Sequence, residues 1–170
     1  MTSLQTLLET LPQRGRVEWI GLRPARRVLP LSVEAAEARP GEGLLGDRFS
    51  GSTSSKRQVT LIQAEHLVAA GSLLGRAPLD PALTRRNVVV AGINLLALRR
   101  SVFRVGTVLL QGTGPCAPCS RMEEHFGPGG YNALRGHGGI TARVLEAGTF
   151  RLGDEVVLVE AGALGPGEED

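Results

Sequence analysis

Lysine and aromatic residues are scarce in this chain of 170 residues. Lys56 is its single lysine, so 18 of the 19 basic residues are arginines, and aromatic residues make up 4% of the composition. No basic stretch is interleaved with aromatic side chains, which disfavours binding to nucleic acid. Arginine binds phosphates and carboxylates through paired hydrogen bonds, although a GC-rich genome would produce the same arginine bias without functional meaning.

Long apolar runs are also missing. No run approaches the roughly 20 apolar residues that span a bilayer, and residues 1–14 contain Glu9 and lack a basic segment followed by an apolar one. We therefore expect a cytoplasmic protein that does not bind membranes. In that compartment, the two cysteines of the chain are not expected to form a constitutive disulfide.

Short apolar segments separated by turns fill most of the chain and predict a mainly β protein. Without regular strand–helix alternation, they favour a barrel-like fold with a few peripheral α-helices. We divide the chain into an N-terminal helix and lead-in (residues 1–15), one domain (residues 16–161) and a flexible acidic tail (residues 162–170). The elements that matter below are a helix over 63–74, strands over 104–111 with a bulge at Gly106, over 140–146 and over 155–160, and a helix to about Phe126 with Ser120 as N-cap and Glu123 in a capping box.

Both cysteines lie in one short loop, residues 114–121 (GPCAPCSR). Its glycine and prolines indicate a rigid turn that fixes the direction of a sulfur atom, and the helix start and Arg121 would favour a Cys119 thiolate. The C-x-x-C spacing leaves four interpretations open. They are a thiol redox pair, a zinc site completed by His125 and His137, a single functional cysteine, and two small side chains in a buried corner.

A second group of candidate residues is basic or lies among glycines. The loop over residues 41–56 is rich in glycine and offers backbone N–H groups to an anion, but neither the P-loop nor the dinucleotide motif occurs, nor does a serine hydrolase elbow. Separately, each candidate is typical of a solvated patch, whereas together in one cleft they would suit an anionic ligand. The candidates are Asp47, Arg48, Arg57, Arg86, Asn87 and His137.

Several segments, in their order along the chain, resemble the MOSC family, the domains related to the C-terminal part of molybdenum-cofactor sulfurase. The resemblance covers roughly residues 17–159. It departs from many relatives at residues 49–55 (FSGSTSS), where they carry a His-Gly-Gly segment, and the chain lacks the aminotransferase-like half of the full sulfurases. The segments are 43–48 (GLLGDR), 56–59 (KRQV), 86–88 (RNV), 92–95 (GINL), 103–106 (FRVG), the Pro118-Cys119 loop, 138–145 (GGITARVL) and 153–154 (GD).

The resemblance implies a closed β-barrel of the MOSC type with a cleft for the molybdenum cofactor, a pterin that bears a phosphate. It maps the key cysteine of the family onto Cys119, which follows Pro118. There the thiolate would ligate molybdenum or carry sulfur as a persulfide, and Cys116 would be a bystander or helper. Asp47, Arg48 and the other candidates would shape the cofactor cleft.

The same resemblance implies an activity and partners. If the protein is an enzyme, the expected reaction is the reduction of N-hydroxylated small molecules, with electrons from a separate donor protein. As a sulfur carrier, it would instead need a sulfur-donor protein. Two alternatives remain: a non-catalytic carrier of sulfur or cofactor, and a thiol-redox domain that uses both cysteines.

Overall fold

The fold is a closed β-barrel of seven strands, seen in a computed structural model that describes residues 1–162. Its strand order is β11-β7-β8-β9-β5-β6-β1, and pairing of β1 with β11 closes the ring. The strands are β1 (Gly15–Leu22), β2 (Leu31–Val33), β3 (Ala35–Arg39), β4 (Gly43–Leu44), β5 (Val59–Gln63), β6 (Val88–Ala91), β7 (Val102–Val105), β8 (Val108–Pro115), β9 (Ile140–Glu146), β10 (Gly148–Arg151) and β11 (Glu155–Glu160).

Within residues 1–162, five short helices surround the barrel, in agreement with the predicted few peripheral helices. Strand β2 extends the barrel sheet beside β1, and β10, β3 and β4 form a small second sheet. No helix within residues 1–162 is long and apolar enough to cross a membrane. The helices are α1 (Leu4–Glu9), α2 (Ala64–Leu73), α3 (Pro81–Thr84), α4 (Ser120–Phe126) and α5 (Gly130–Leu134), and a 3-10 helix spans Leu95–Leu98.

Alternation along the strands divides the apolar residues between two cores. In β5, Leu61 lies inside the barrel, whereas the next residue, Ile62, packs against the helices outside. In β6, Val88 and Val89 divide in the same way. This period of two is the geometry of a strand buried on both faces, and each fully buried aliphatic side chain contributes about 1.5–3 kcal/mol.

The outer core places the cysteine loop. Strands β5 and β6 are parallel, so the chain must cross over between them, and α2 makes that crossover. Helix α5 packs against α2 and α4 packs against α5, with Met122 and Phe126 of α4 among the buried residues of the outer core. The cysteine loop therefore runs from the end of β8 to a helix that is anchored on the barrel.

Several predicted elements differ from the observed ones. Residues 104–111 are not one bulged strand, because Gly106, with φ +55°, lies in the tight turn of the β7–β8 hairpin. Strand β10 and helices α3 and α5 were not predicted, whereas residues 140–146 and 155–160 form strands with the predicted bounds. Apart from Gly162, the tail predicted to be flexible lies outside the described residues.

Candidate functional site

Residues 116–119 connect β8 to α4, and the two cysteines occupy different environments in this loop. Cys116 is 2% exposed, and its N–H donates a 2.8 Å hydrogen bond to the carbonyl oxygen of Gly139. Cys119 is exposed, and the described residues contain no disulfide because both cysteines are free. The loop therefore buries one thiol and presents the other to solvent.

The start of α4 differs from the prediction. Cys119, not Ser120, is the N-cap residue, with extended backbone angles (φ −123°, ψ 173°) and no side-chain capping bond. The predicted capping box is also wrong, because the Glu123 carboxylate accepts hydrogen bonds from the N–H groups of Tyr131 (3.0 Å) and Gly129 (2.8 Å). These two bonds lower the pKa of Glu123 and tie α4 to the start of α5.

Arg86 supports the cysteine loop from beneath. Its side chain is 2% exposed, and its guanidinium donates hydrogen bonds of 2.8–3.2 Å to the carbonyl oxygens of Thr84, Cys116, Ala117 and Gly138. Burial lowers the pKa of Arg86, since a charge in the protein interior is costly, and the nearby Cys116 thiol opposes that shift. Arg86 thus fixes the loop and adds positive charge below both cysteines.

Asp47 and Asn87 belong to a second buried network, whose third member is Arg23. Asp47 accepts hydrogen bonds from the backbone N–H and the guanidinium of Arg23 at 2.8–3.0 Å, and from the Asn87 amide at 3.1 Å. Burial raises the pKa of Asp47, but the hydrogen bonds and charge of Arg23, with the N–H of Phe49, together hold that pKa below its ordinary value. Asn87 also accepts from the Thr60 N–H and hydroxyl, so the network joins β1, β5 and β6.

A narrow cleft opens beside these networks. Its basic lining residues are Arg23, Arg27, Arg85 and Arg121, with His125 beside them, and no carboxylate lines it. Burial lowers the pKa of Arg85, the positive charges of Arg121, Arg23 and Arg48 lower it further, and Cys119 opposes them. Cys119 does not line this cleft, but Arg85, which does, lies close enough to Cys119 to feel its electrostatic effect.

Three other predicted residues, Arg48, Arg57 and His137, do not line this cleft. Arg48 and Arg57 are exposed, and within residues 1–162 their side chains make no hydrogen bond or ion pair. His137 faces another element, because its ring meets the His66 ring of α2 edge to face at 4.9 Å and its Nδ1 lies 3.1 Å from the Ala133 carbonyl oxygen.

The glycines beside His137 have a structural explanation. A Cβ on Gly138 would lie 2.1 Å from the Cys116 carbonyl oxygen, and one on Gly139 would lie 1.8 Å from that of Leu61. Close backbone packing therefore requires these glycines. Within residues 1–162, no three cysteine, histidine or acidic side chains converge as a metal site would require, so the zinc interpretation gains no support.

Sequence reasoning missed Arg23, Arg27 and the role of His125 in the cleft. Arg23 and Arg27 lie in a proline-bounded stretch (residues 23–30, RPARRVLP), and that local density of arginine was the available signal. His125 was considered only as a zinc ligand. Its Nδ1 lies 2.7 Å from the Leu83 carbonyl oxygen, and its ring lines the cleft.

Comparison with known proteins identifies a matching domain family and similar solved structures. The model of the MOSC domain matches residues 46–157 of this chain. The fold is similar to the YuaD protein from Bacillus subtilis, with a TM-score of 0.73 and 18% identity over 86% of this chain and 97% of that one.

YiiM from Geobacillus stearothermophilus is similar with a TM-score of 0.66 and 21% identity, over 86% of this chain and 75% of that one. YiiM from Escherichia coli has the same TM-score and 20% identity, over 88% and 72%. None of the curated proteins matches the sequence. At these identities the solved structures establish the fold, and the domain match, which spans well over half of the chain, establishes the family. The chain therefore belongs to the MOSC domain family.

Proposed function

We propose that the protein binds the molybdenum cofactor beside Cys119 and that the Cys119 thiolate is a ligand of the molybdenum. The observation that carries this proposal is the exposed Cys119 thiol, with Arg85 and the exposed Arg48 nearby. A thiolate is the kind of soft ligand that suits such a metal, and arginine suits the phosphate of the pterin. The residues present therefore fit the group.

In this proposal, the side chains divide into those that would touch the cofactor and those that hold them in place. Arg48 and Arg57 are exposed and unpaired within the described part of the chain, so they are available to a phosphate. Arg86, Asn87 and Asp47 form hydrogen bonds with other protein groups and would position the walls of the site. His137 remains a candidate from the sequence alone. When bound, the cofactor would supply a redox-active metal centre.

A reductase of N-hydroxylated compounds is the enzymatic form of this proposal. Such a protein would take electrons from a separate donor. The second candidate is a carrier that holds sulfur on Cys119 as a persulfide and passes it to a partner protein. The exposure of Cys119 favours this candidate, because another protein can reach the sulfur directly. Burial of Cys116 counts against a redox pair in which both thiols react from solvent.

Metal and pterin analysis of the purified protein tests the cofactor proposal. From a host that makes the cofactor, we expect close to one molybdenum and one pterin per chain, measured by mass spectrometry and by fluorescence of the oxidised pterin. Protein from a host unable to make the cofactor is the control and should contain neither. Purified protein without molybdenum or pterin from the first host contradicts the proposal.

The enzyme and the carrier differ in what the protein releases. A persulfide on Cys119 gives thiocyanate when treated with cyanide, in an amount that Cys119→Ser abolishes. Protein that contains molybdenum, gives no thiocyanate and reduces an N-hydroxylated probe with a chemical electron donor is the enzyme. Protein that gives thiocyanate without turnover is the carrier.

A further inference from the structure

The cleft beside Cys119 is too small for a whole organic molecule. Its enclosed volume is about 40 Å³, which is room for about three water molecules at the 10–15 Å³ that each requires. One charged group of a ligand, such as a carboxylate, fits this space. The rest of such a ligand would have to lie across the mouth of the cleft.

Two arginines of the cleft have an unusual backbone conformation. Arg27 (φ 64°) and Arg85 (φ 62°) are the two residues other than glycine with positive φ in the described part of the chain, and both line this cleft. A left-handed conformation costs a side-chain-bearing residue about 1–2 kcal/mol. Neither guanidinium has a hydrogen bond or ion pair within residues 1–162 that would offset this cost. Arg85 takes this conformation as the cap that ends α3, and Arg27 takes it in a turn. What points to an anionic ligand is that both guanidinium groups are unpaired in the described part of the chain.

Arg121 and His125 approach the cleft from α4, one helical turn apart. The Nδ1 atom of His125 lies 2.7 Å from the Leu83 carbonyl oxygen, and since a carbonyl only accepts, Nδ1 carries the hydrogen of this bond. The Nε2 atom is then an acceptor, available to a hydrogen-bond donor of a ligand and not to its carboxylate. Arg121 is only loosely paired, with 3.6 Å between its Nη1 and Oε2 of the exposed Glu124.

The mouth of the cleft is apolar on one side. Val28 and Leu29 are 53% and 55% exposed, and both line the cleft together with Pro30. Exposed apolar side chains next to unpaired arginines suit a ligand that has both an anionic group and an apolar part. Burial of apolar ligand surface on these residues would contribute about 25 cal/mol per Å².

We propose that this cleft binds a small organic anion whose carboxylate lies between Arg85 and Arg121 and whose apolar body lies on Val28 and Leu29. Arg27 also lines the cleft, and Arg23 is paired with Asp47. Such a molecule is the substrate class that the site selects. That last assignment rests on the proposed function, because turnover takes place beside Cys119, whereas binding of the anion does not require the cofactor.

Calorimetric titration with benzoate tests the inference, using protein from a host that lacks the cofactor. We expect benzoate to bind at least tenfold more tightly than benzamide, which has the same shape without the charge. Arg85→Gln and Arg121→Gln should each weaken benzoate binding about tenfold, the loss of one charge-assisted hydrogen bond. Arg14→Gln is the matched control, because Arg14 pairs with Glu155 outside the cleft and its loss should change nothing.

A second comparison tests the apolar wall. Leu29→Ser should weaken benzoate binding about fivefold, by loss of apolar contact, and leave acetate binding unchanged. The inference is overturned if benzoate does not bind, if benzamide binds equally well, or if inorganic phosphate binds more tightly than benzoate with no effect of Leu29→Ser. The last result would assign the cleft to a phosphate such as that of the cofactor.

The two proposals can fail separately. Protein loaded with cofactor should still bind benzoate, and loss of benzoate binding on loading would overturn this inference while supporting the cofactor. If the protein never contains molybdenum but binds benzoate as described, the proposed function is contradicted and the anion site is supported.

Discussion

At the scale of single residues, the buried charged groups of this site and the exposed ones have separate roles. Arg86 and Asp47 are buried and their polar atoms bind protein groups, whereas Arg48, Arg57 and Cys119 face solvent. The sequence could indicate that these residue types belong to one site, because their chemistry suits an anion. It could not separate supporting residues from exposed ones, since hydrogen bonds such as that between Asn87 and Asp47 join positions 40 residues apart.

Asp47 makes the stability of the site depend on pH. Its folded-state pKa lies below the ordinary value for aspartate, so its contribution to stability is complete above the unfolded pKa of about 3.9 and is lost as the pH falls through the folded pKa. We expect Asp47→Asn to lower the free energy of unfolding at pH 7 by about 3 kcal/mol, because Arg23 is 13% exposed and loses its partner.

Urea unfolding at pH 7 and near pH 3 measures both effects. The loss caused by Asp47→Asn should shrink at the lower pH, because the Asp47 carboxyl of the unfolded wild-type chain is largely protonated below its pKa of about 3.9. Glu37→Gln is the control, since Glu37 forms an exposed pair with Arg39 that is worth about 0–1 kcal/mol. An Asp47→Asn variant as stable as the control at pH 7 would contradict this reading of the network.

At the scale of elements, sequence patterns predicted those segments whose signals are local. The strand over residues 155–160 is bounded by a glycine turn, and both its ends were predicted correctly. Strand β10 was missed because only four residues form it and it exists through pairing with β3, more than 100 residues earlier in the chain. The N-cap of α4 was assigned to Ser120 on residue preference, whereas Cys119 is the last residue with an extended backbone before the helix and is the N-cap.

Gly138 packs directly against the backbone of the cysteine loop at Cys116. Gly138→Ala would place a Cβ 2.1 Å from the Cys116 carbonyl oxygen and 3.2 Å from Arg86, so the backbone of the cysteine loop must move. We expect a loss of about 1–3 kcal/mol, the usual cost of overpacking, and a changed rate of reaction of Cys119 with a thiol reagent. Thermal unfolding and thiol-labelling kinetics provide the two measurements.

Gly136→Ala is the matched control for this experiment. Gly136 has φ +76°, but a Cβ there would meet no atom within 4 Å, so only the backbone cost of about 1 kcal/mol applies. Labelling of Cys119 should then match the wild type. If Gly138→Ala labels Cys119 at the wild-type rate, the loop is not held in the way that the structure indicates.

At the scale of the whole molecule, the barrel brings distant segments to one place. Many short strands predicted a barrel, and the family resemblance predicted its closure, which pairing of β1 with β11 confirms. The parallel pairing of β5 and β6 has no signature in composition, and neither has the meeting of residues 23–30 with α3 and α4 at the cleft. Those contacts depend on tertiary packing, which is why Arg27 and His125 were not recognised from the sequence as partners.

The whole fold also explains why one cysteine matters more than the other in the proposed function. Cys116 is buried against the backbone of Gly139, whereas Cys119 is exposed near Arg85. Replacement of either by serine changes a single atom, so the two variants form a matched pair. Only the exposed thiol should affect cofactor loading.

The most direct test is the molybdenum content per chain of wild-type, Cys119→Ser and Cys116→Ser proteins purified from the same cofactor-producing host. We expect close to one molybdenum in the wild type, at least a tenfold loss in Cys119→Ser, and a content near the wild-type value in Cys116→Ser. Thermal unfolding of each variant checks that the fold is retained. Equal molybdenum in a folded Cys119→Ser protein and the wild type would contradict the assignment of Cys119 as the metal ligand.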